Sequence, residues 1–423
     1  MSLKITNALP ELVENNIITE ETAQKIIAYY DKPKEVSNSN KLFIVFGILG
    51  AALVGLGIIL IMAHNWDELP KFVKLIAAFF PMILGQVALG YSIAKNKSML
   101  WKETATVFLY FSVGACIALV SQVYHISGNL ESFILAWTVL CTPLLYVTKS
   151  KSAIFLHLIF STYYALITGY GYNVQTTPLL YFVLISACIP RYISSMKEKE
   201  SAIANALHWL LPASLLLSLP VCYDRSPQIA YLLYMFLFGI YINIGQFPYF
   251  KNKSLLQNGY LCLGTIGTII LLLLTSFHDA WKYDFRYGVV DTVEVISVIT
   301  LFLGACFVFY INTKFQKLQQ LSMFQLIFLV FGIIFLIGLV DTATATILIN
   351  ILLFAIGIVL IKKGADHIQF STLNYGMVII TALIICRFYD TEISFAIRGL
   401  IFLSIGVGFF ITNYIMYKKQ LKK

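Results

Sequence analysis

Charge is scarce in this 423-residue chain: Asp, Glu, Lys and Arg make up 12% of it, against 59% hydrophobic residues. No soluble core hides that much apolar surface, so a water-soluble globular domain is excluded. Acids are the scarcer sign, 21 against 30 lysines and arginines, which leaves a formal charge of +9. Nucleic acid is not needed to explain that excess, because the basic residues follow a topological pattern described below, and no nucleic-acid partner is expected. Cysteines are few and scattered. Cys116, Cys141, Cys188, Cys222, Cys262, Cys306 and Cys386 lie in or at the ends of apolar stretches without a close pair, which excludes a disulfide or metal framework. Phosphate loops, dinucleotide fingerprints, nucleophile elbows, thiolate clusters and haem-ligand pairs are all missing at useful spacing, so no cofactor is expected. The first 41 residues are polar, and no cleavable signal peptide is expected.

What is present is a succession of about fourteen apolar stretches near the ~20-residue length that crosses a bilayer. They run over 42–63, 72–94, 104–122, 133–148, 152–170, 178–194, 203–222, 228–250, 255–277, 289–311, 323–340, 343–361, 370–386 and 394–417. The connecting segments alternate between basic and nearly neutral. Of the 30 lysines and arginines, 23 fall on one side and 7 on the other, namely Lys71, Lys74, Arg225, Lys282, Arg286, Arg387 and Arg398. By the positive-inside rule the richer side is cytoplasmic, which predicts an all-α polytopic bundle with both termini inside. Three parts follow: a cytoplasmic amphipathic segment and linker over 1–41, the bundle over 42–417, and a basic tail over 418–423.

In the first part Leu9, Leu12 and Val13, then Ala23, Ile26, Ile27 and Tyr30, recur at helical spacing. Thr19 followed by Glu20 and Glu21 reads as an N-cap with acids in the first turn. This foot is expected to pack on the bundle or lie on lipid, with a docked protein partner as the alternative. Gly47, Ala51 and Gly55 line one face of the first span, and Gly264 and Gly399 are weaker cues for close helix approach. Pro81, Pro143, Pro212, Pro220 and Pro248 are expected to kink helices or mark their ends. No ionised side chain stands at the centre of a span, and the polar groups at depth are Gln86, Ser112, Ser161, Thr162, Asn243 and Asn350. That lowers the expectation of a pump built around a midplane carboxylate.

Charged and aromatic residues gather instead at the non-cytoplasmic ends. The first span closes with His64, Asn65, Trp66, Asp67 and Glu68, the third with Gln122, Tyr124 and His125, and Glu131 opens the fourth. Asp341 joins the eleventh and twelfth, Arg387 and Asp390 lie between the last two, and Arg398 sits one turn inside the final helix. These outline an outward-facing polar pocket lined by His64, Asn65, Asp67, Gln122, Tyr124, His125, Asp341, Arg387, Asp390 and Arg398. Buried arginine requires an anionic partner, which Asp341 or Asp390 could supply. Trp66, Tyr124 and Trp281 are expected to be interface anchors, and Lys74 to snorkel outward. His64, Asp67, His125 and Glu131 have ligand chemistry but no ligand spacing, so no metal is expected.

Three stretches carry a resemblance: His64-Asn65-Trp66-Asp67-Glu68-Leu69-Pro70, Ser121-Gln122-Val123-Tyr124-His125-Ile126-Ser127-Gly128 with Trp137 after it, and Arg387-Phe388-Tyr389-Asp390 with Arg398-Gly399 and Phe402. Together they resemble a family of bacterial predicted membrane proteins catalogued as a domain of unknown function. The N-terminal Ile17-Ile18-Thr19-Glu20-Glu21 is similar too, while Ser121 stands where glycine is expected. The resemblance implies a multi-pass protein of a bacterial plasma membrane and supplies no activity. The residues favour a transporter or flippase-like protein for a small or lipid-linked, anionic solute, with Arg387 and Arg398 holding the anion. The alternatives are an outer-leaflet enzyme using His125 as acid or base, and a non-catalytic sensor or assembly partner.

Overall fold

The computed structural model describes residues 12–13, 15, 17–31, 66–169, 179–197, 202–222, 227–250, 253–281, 292–315, 321–390 and 395–421. Two compact units divide it, Met1–Ile76 and Ala77–Lys423. In the first, α1 (Glu20–Asp31) starts where the sequence places a cap. Thr19 Oγ1 accepts from Thr22 N at 3.3 Å, and an exposed Lys25–Glu21 pair at 2.6 Å links successive turns. The first apolar stretch, with Gly47, Ala51 and Gly55, lies outside the described residues.

The other helices are α2 (Lys71–Ala94), α3 (Met99–Val123), α4 (Leu130–Cys141), α5 (Lys151–Gly169), α6 (Leu180–Ser195), α7 (Ala202–Ser218), α8 (Pro227–Gly245), α9 (Gly259–Thr275), α10 (Thr292–Phe315), α11 (Ile327–Gly338), α12 (Thr342–Asp366), α13 (Phe370–Asp390) and α14 (Phe395–Leu421). Each falls on one of the apolar stretches read from the sequence, and no strand occurs among the described residues. Among the described residues, eight helical segments are long and apolar enough to cross a membrane, and four shorter apolar ones accompany them. Proline sets several boundaries, as expected from its missing N–H. Pro143 separates α4 from the short turn Leu144–Val147, and Pro220 and Pro248 sit in 3-10 turns, whereas Pro81 and Pro212 are inside helices.

Helix α8 is the central pillar: 72% of its apolar stretch is buried, against 11% for α10, which therefore turns most of its apolar surface outward. It packs on α9, α10 and α11, while α5 packs on α3, α4, α6 and α7. Connections are closed by borrowed side chains. Glu103 of α3 accepts from the backbone N–H groups of Lys151 at 2.9 Å and Ser152 at 3.0 Å and from the Ser150 hydroxyl, placing a carboxylate on the positive end of α5. Asn258 accepts from Leu261 N at the start of α9 and donates to Gly245 O at the end of α8. Arg191, buried at the end of α6, donates to Lys149 O.

The most extensive helix pair is α12 with α13. Glycine permits it: a Cβ on Gly364 would lie 2.4 Å from Leu373 N, and one on Gly376 2.7 Å from Gly357 O. Gly264 is tight as well, with Ile242 Cγ1 2.8 Å from such a Cβ, while Gly399 meets nothing within 4 Å. Backbone cannot yield as a flexible side chain does, so Gly376→Ala should cost about 1–3 kcal/mol by overpacking. Gly90→Ala on α2, where the new methyl meets nothing within 4 Å, is the control and should be neutral or slightly stabilising. Unfolding midpoints of the purified protein in detergent distinguish the two.

Candidate functional site

The sequence places its densest motif at the end of α3, and the local geometry explains why the helix stops there. Tyr124 is the C-cap, and His125 follows with φ 52°, in the left-handed region. Ile126 N returns to Ser121 O at 2.9 Å and His125 N to Gln122 O at 3.4 Å, the wrap that closes a helix whose next residue is left-handed. Glycine usually holds that place, and histidine is an uncommon occupant. Ser121 Oγ donates to Ile126 O at 3.0 Å and tightens the wrap. Three residues later Asn129 caps α4, its Oδ1 accepting from Ser132 N at 2.9 Å and Ser132 Oγ at 2.6 Å. Glu131 lies in the first turn of α4, where a negative charge complements the helix dipole.

Beside this turn is a cleft of about 880 Å³. Its walls are apolar: Phe79 and Met82 from α2, Val113, Ile117 and Val120 from α3, Phe133, Ala136 and Leu140 from α4. Ser121, Ser127, Asn129 and Ser132 make one polar end. Gln122, Tyr124 and His125 are exposed beside it and outside its wall. Trp137 braces the α3–α4 pair. Its indole Nε1 donates to Tyr110 O at 2.8 Å, and its ring covers Gly114 so closely that a Cβ there would lie 2.3 Å from it.

Residues 10–154 match the family described as predicted membrane protein (DUF2157). The match covers roughly a third of the chain and includes the α3–α4 turn, the cleft and Trp137. That family description assigns a membrane setting and no activity. No curated protein and no solved structure matches the chain.

The remaining expected site residues have other surroundings. His64 and Asn65 lie outside the described residues, as do the side chains of Asp390 and Arg398. Asp67 is exposed in the turn before α2, where Lys74 sits 5.6 Å over the Trp66 ring. Asp341 caps α12, accepting from Ala343 N at 3.0 Å and from the Thr344 hydroxyl. The Thr344 hydroxyl, with the backbone N–H groups, holds the Asp341 carboxyl below the usual carboxylate range. Arg387 donates to Ser276 O at 2.8 Å and Ser276 Oγ at 3.2 Å, with its guanidinium 5.2 Å over the Phe277 ring. A cation there offsets the negative end of α9.

Gln122, Tyr124 and His125 thus share one helix end, on a helix whose main packing partners are α4 and α5. Asp341 and Arg387 belong to helices that pack on α9, α11 and one another. Trp281 requires a correction: it is buried, not an interface anchor, and its indole donates to Thr275 O at 2.8 Å, because the end of α9 needs a donor more than the aromatic needs the interface. Sequence reasoning also passed over His157 and His208, which are 0% and 1% exposed inside apolar helices. A search for midplane carboxylates and cations does not see a neutral imidazole, although any titratable residue in such a stretch is informative.

His125 supplies a backbone conformation and an imidazole, and substitution can separate them. His125→Gly keeps the left-handed turn without its steric cost and should stabilise the protein by about 1 kcal/mol. His125→Ala should bring no such gain. The readout is the difference in unfolding midpoint between the two variants.

Proposed function

We propose that this chain is a multi-pass protein of a bacterial plasma membrane, with about fourteen crossings and both termini in the cytoplasm, that moves an amphipathic, lipid-linked solute in a transporter or flippase-like role. The observation that carries the reading is the α3–α4 cleft: about 880 Å³ of mostly apolar wall with one end made of neutral hydroxyl and amide groups. Ligand sites typically combine a chiefly apolar concavity of that size with a few convergent polar groups. An acyl or isoprenoid chain fits the walls, and its head group meets Ser127 and Asn129, with Gln122, Tyr124 and His125 as further neutral hydrogen-bond partners. Arg398, with Asp390 at the other side of the α13–α14 connection, is proposed as a second contact for an anionic solute, apart from the cleft. Arg387 supports that region from its place on the end of α9. The sidedness rests on the 23-to-7 division of basic residues.

The test is movement of a fluorescent polyprenyl phosphate across vesicles containing the purified protein, read by quenching from outside. Wild type should move the probe well above protein-free vesicles, and Ala136→Trp, which fills the cleft, should abolish the excess. Equal rates for wild type and protein-free vesicles, or for wild type and Ala136→Trp, overturn the reading.

A further inference from the structure

Helix hydroxyls in this protein have a habit. Thr106, Ser112, Thr138, Thr162, Thr268, Thr275, Thr346 and Thr381 each donate to the carbonyl four residues earlier, at 2.6–2.9 Å. Ser161 on α5 and Ser218 on α7 do not. Both are buried, at 0% and 1% exposure, and neither hydroxyl has a partner among the described residues. Two acceptors on the same pair of helices are likewise unmatched, His157 Nδ1 and Asn205 Oδ1. His157 Nε2 lies 3.0 Å from Leu184 O, which only accepts, so the ring proton is on Nε2 and Nδ1 presents a bare lone pair. Between these groups Ser214 joins Thr162 at 2.6 Å and the Tyr181 hydroxyl at 2.8 Å. A polar seam of Thr162, Ser214 and Tyr181 therefore links α5, α6 and α7, and α5 and α7 carry four further buried polar atoms without a partner among the described residues. Orphaned buried groups cost free energy, and water is the partner that usually removes the cost.

A second chain of hydrogen bonds stands at one end of the same helices. The Lys253 ammonium, which can only donate, bonds the Tyr249 hydroxyl oxygen at 3.0 Å. The Tyr249 hydroxyl lies 3.1 Å from His208 Nε2, and His208 Nδ1 lies 2.8 Å from the Tyr192 hydroxyl, so the neutral ring joins two phenols, donating from one nitrogen and accepting at the other. Tyr192 in turn bonds Tyr260. The cation at the start of this chain is half-buried.

We propose that the α5–α6–α7 seam holds bound water, and that this water and the Lys253–Tyr249–His208–Tyr192 chain together conduct protons through the bundle, independently of the cleft. Each link accepts one proton on one side and releases its own on the other. Lys253 is reprotonated from bulk water, and the last water of the seam releases a proton at the far end. One proton enters and one leaves, with no bond to carbon made or broken and no change of oxidation state.

Two measurements test this. Vesicles loaded with a pH-sensitive dye and containing the full chain, driven by a potassium diffusion potential, should acidify faster than protein-free vesicles. Ser161→Ala, Ser218→Ala and His208→Gln should each cut the excess about tenfold, the rate equivalent of one lost hydrogen bond. In detergent, Ser161→Ala and Ser218→Ala should leave the unfolding midpoint unchanged or lower it, because a hydrated hydroxyl is a satisfied one. A rise in midpoint for both means the seam is dry and overturns the proposal, since removing a truly orphaned hydroxyl stabilises. Acidification no faster than in protein-free vesicles, or unchanged in all three variants, overturns it equally.

Discussion

Hydrocarbon offers no hydrogen bonds, so a backbone N–H or C=O left open at a helix end costs several kcal/mol, and this protein closes its ends with side chains taken from neighbouring elements. Glu103 of α3 closes the start of α5, and Asn258 closes the end of α8 and the start of α9 at once. Arg191 reaches Lys149 O, and Trp281 and Arg387 cover the last carbonyls of α9. Most of these devices join different helices, so meeting a local requirement also sets which helices are adjacent. Local capping and tertiary arrangement are then one problem with one solution, and agreement of that kind marks a sequence that specifies a single structure.

Buried polarity follows from the same constraint. Asn312 of α10 and Gln325 of the turn before α11 both donate to Asn243 of α8, and Asn243 Nδ2 reaches Gly239 O at 2.9 Å. Such amides are expensive unless matched, and matched they fix register between otherwise interchangeable apolar faces. Both polar interiors keep unmatched atoms among the described residues, Asn312 Oδ1 in this cluster and the Ser161 and Ser218 hydroxyls in the α5–α6–α7 seam.

Helix positions were legible in the sequence because span length is dictated by bilayer thickness and marked by long apolar runs. The start at Thr19 was legible too, since an N-cap has a residue signature. The end of α3 was located, but not its mechanism, because a left-handed closing residue is normally announced by glycine and here is His125. Trp281 was misread because an aromatic near a span end has the same sequence whether it faces lipid or folds back on a carbonyl. Asp341 has the chemistry of an arginine counter-ion, and its carboxylate caps the first turn of its own helix. His157 and His208 were overlooked because depth and partner, not residue type alone, distinguish a packing imidazole from a member of a polar network. Of the expected pocket, the Gln122–His125 turn can be placed beside a cleft. What each of those side chains does there depends on tertiary neighbours that residue spacing does not encode.

One carbonyl oxygen concentrates more of the architecture than any other described here. Ser276 O takes the Arg387 guanidinium from α13 at 2.8 Å and the Asn350 amide from α12 at 3.1 Å, just past the last turn of α9. A single acceptor shared by three rods works as a pin joint. Lengthwise sliding of any one rod would break a contact to the pin, whereas small rotations about it preserve both. In any rearrangement of the bundle, α9, α12 and α13 should therefore swing as a unit at that end and not slip past one another.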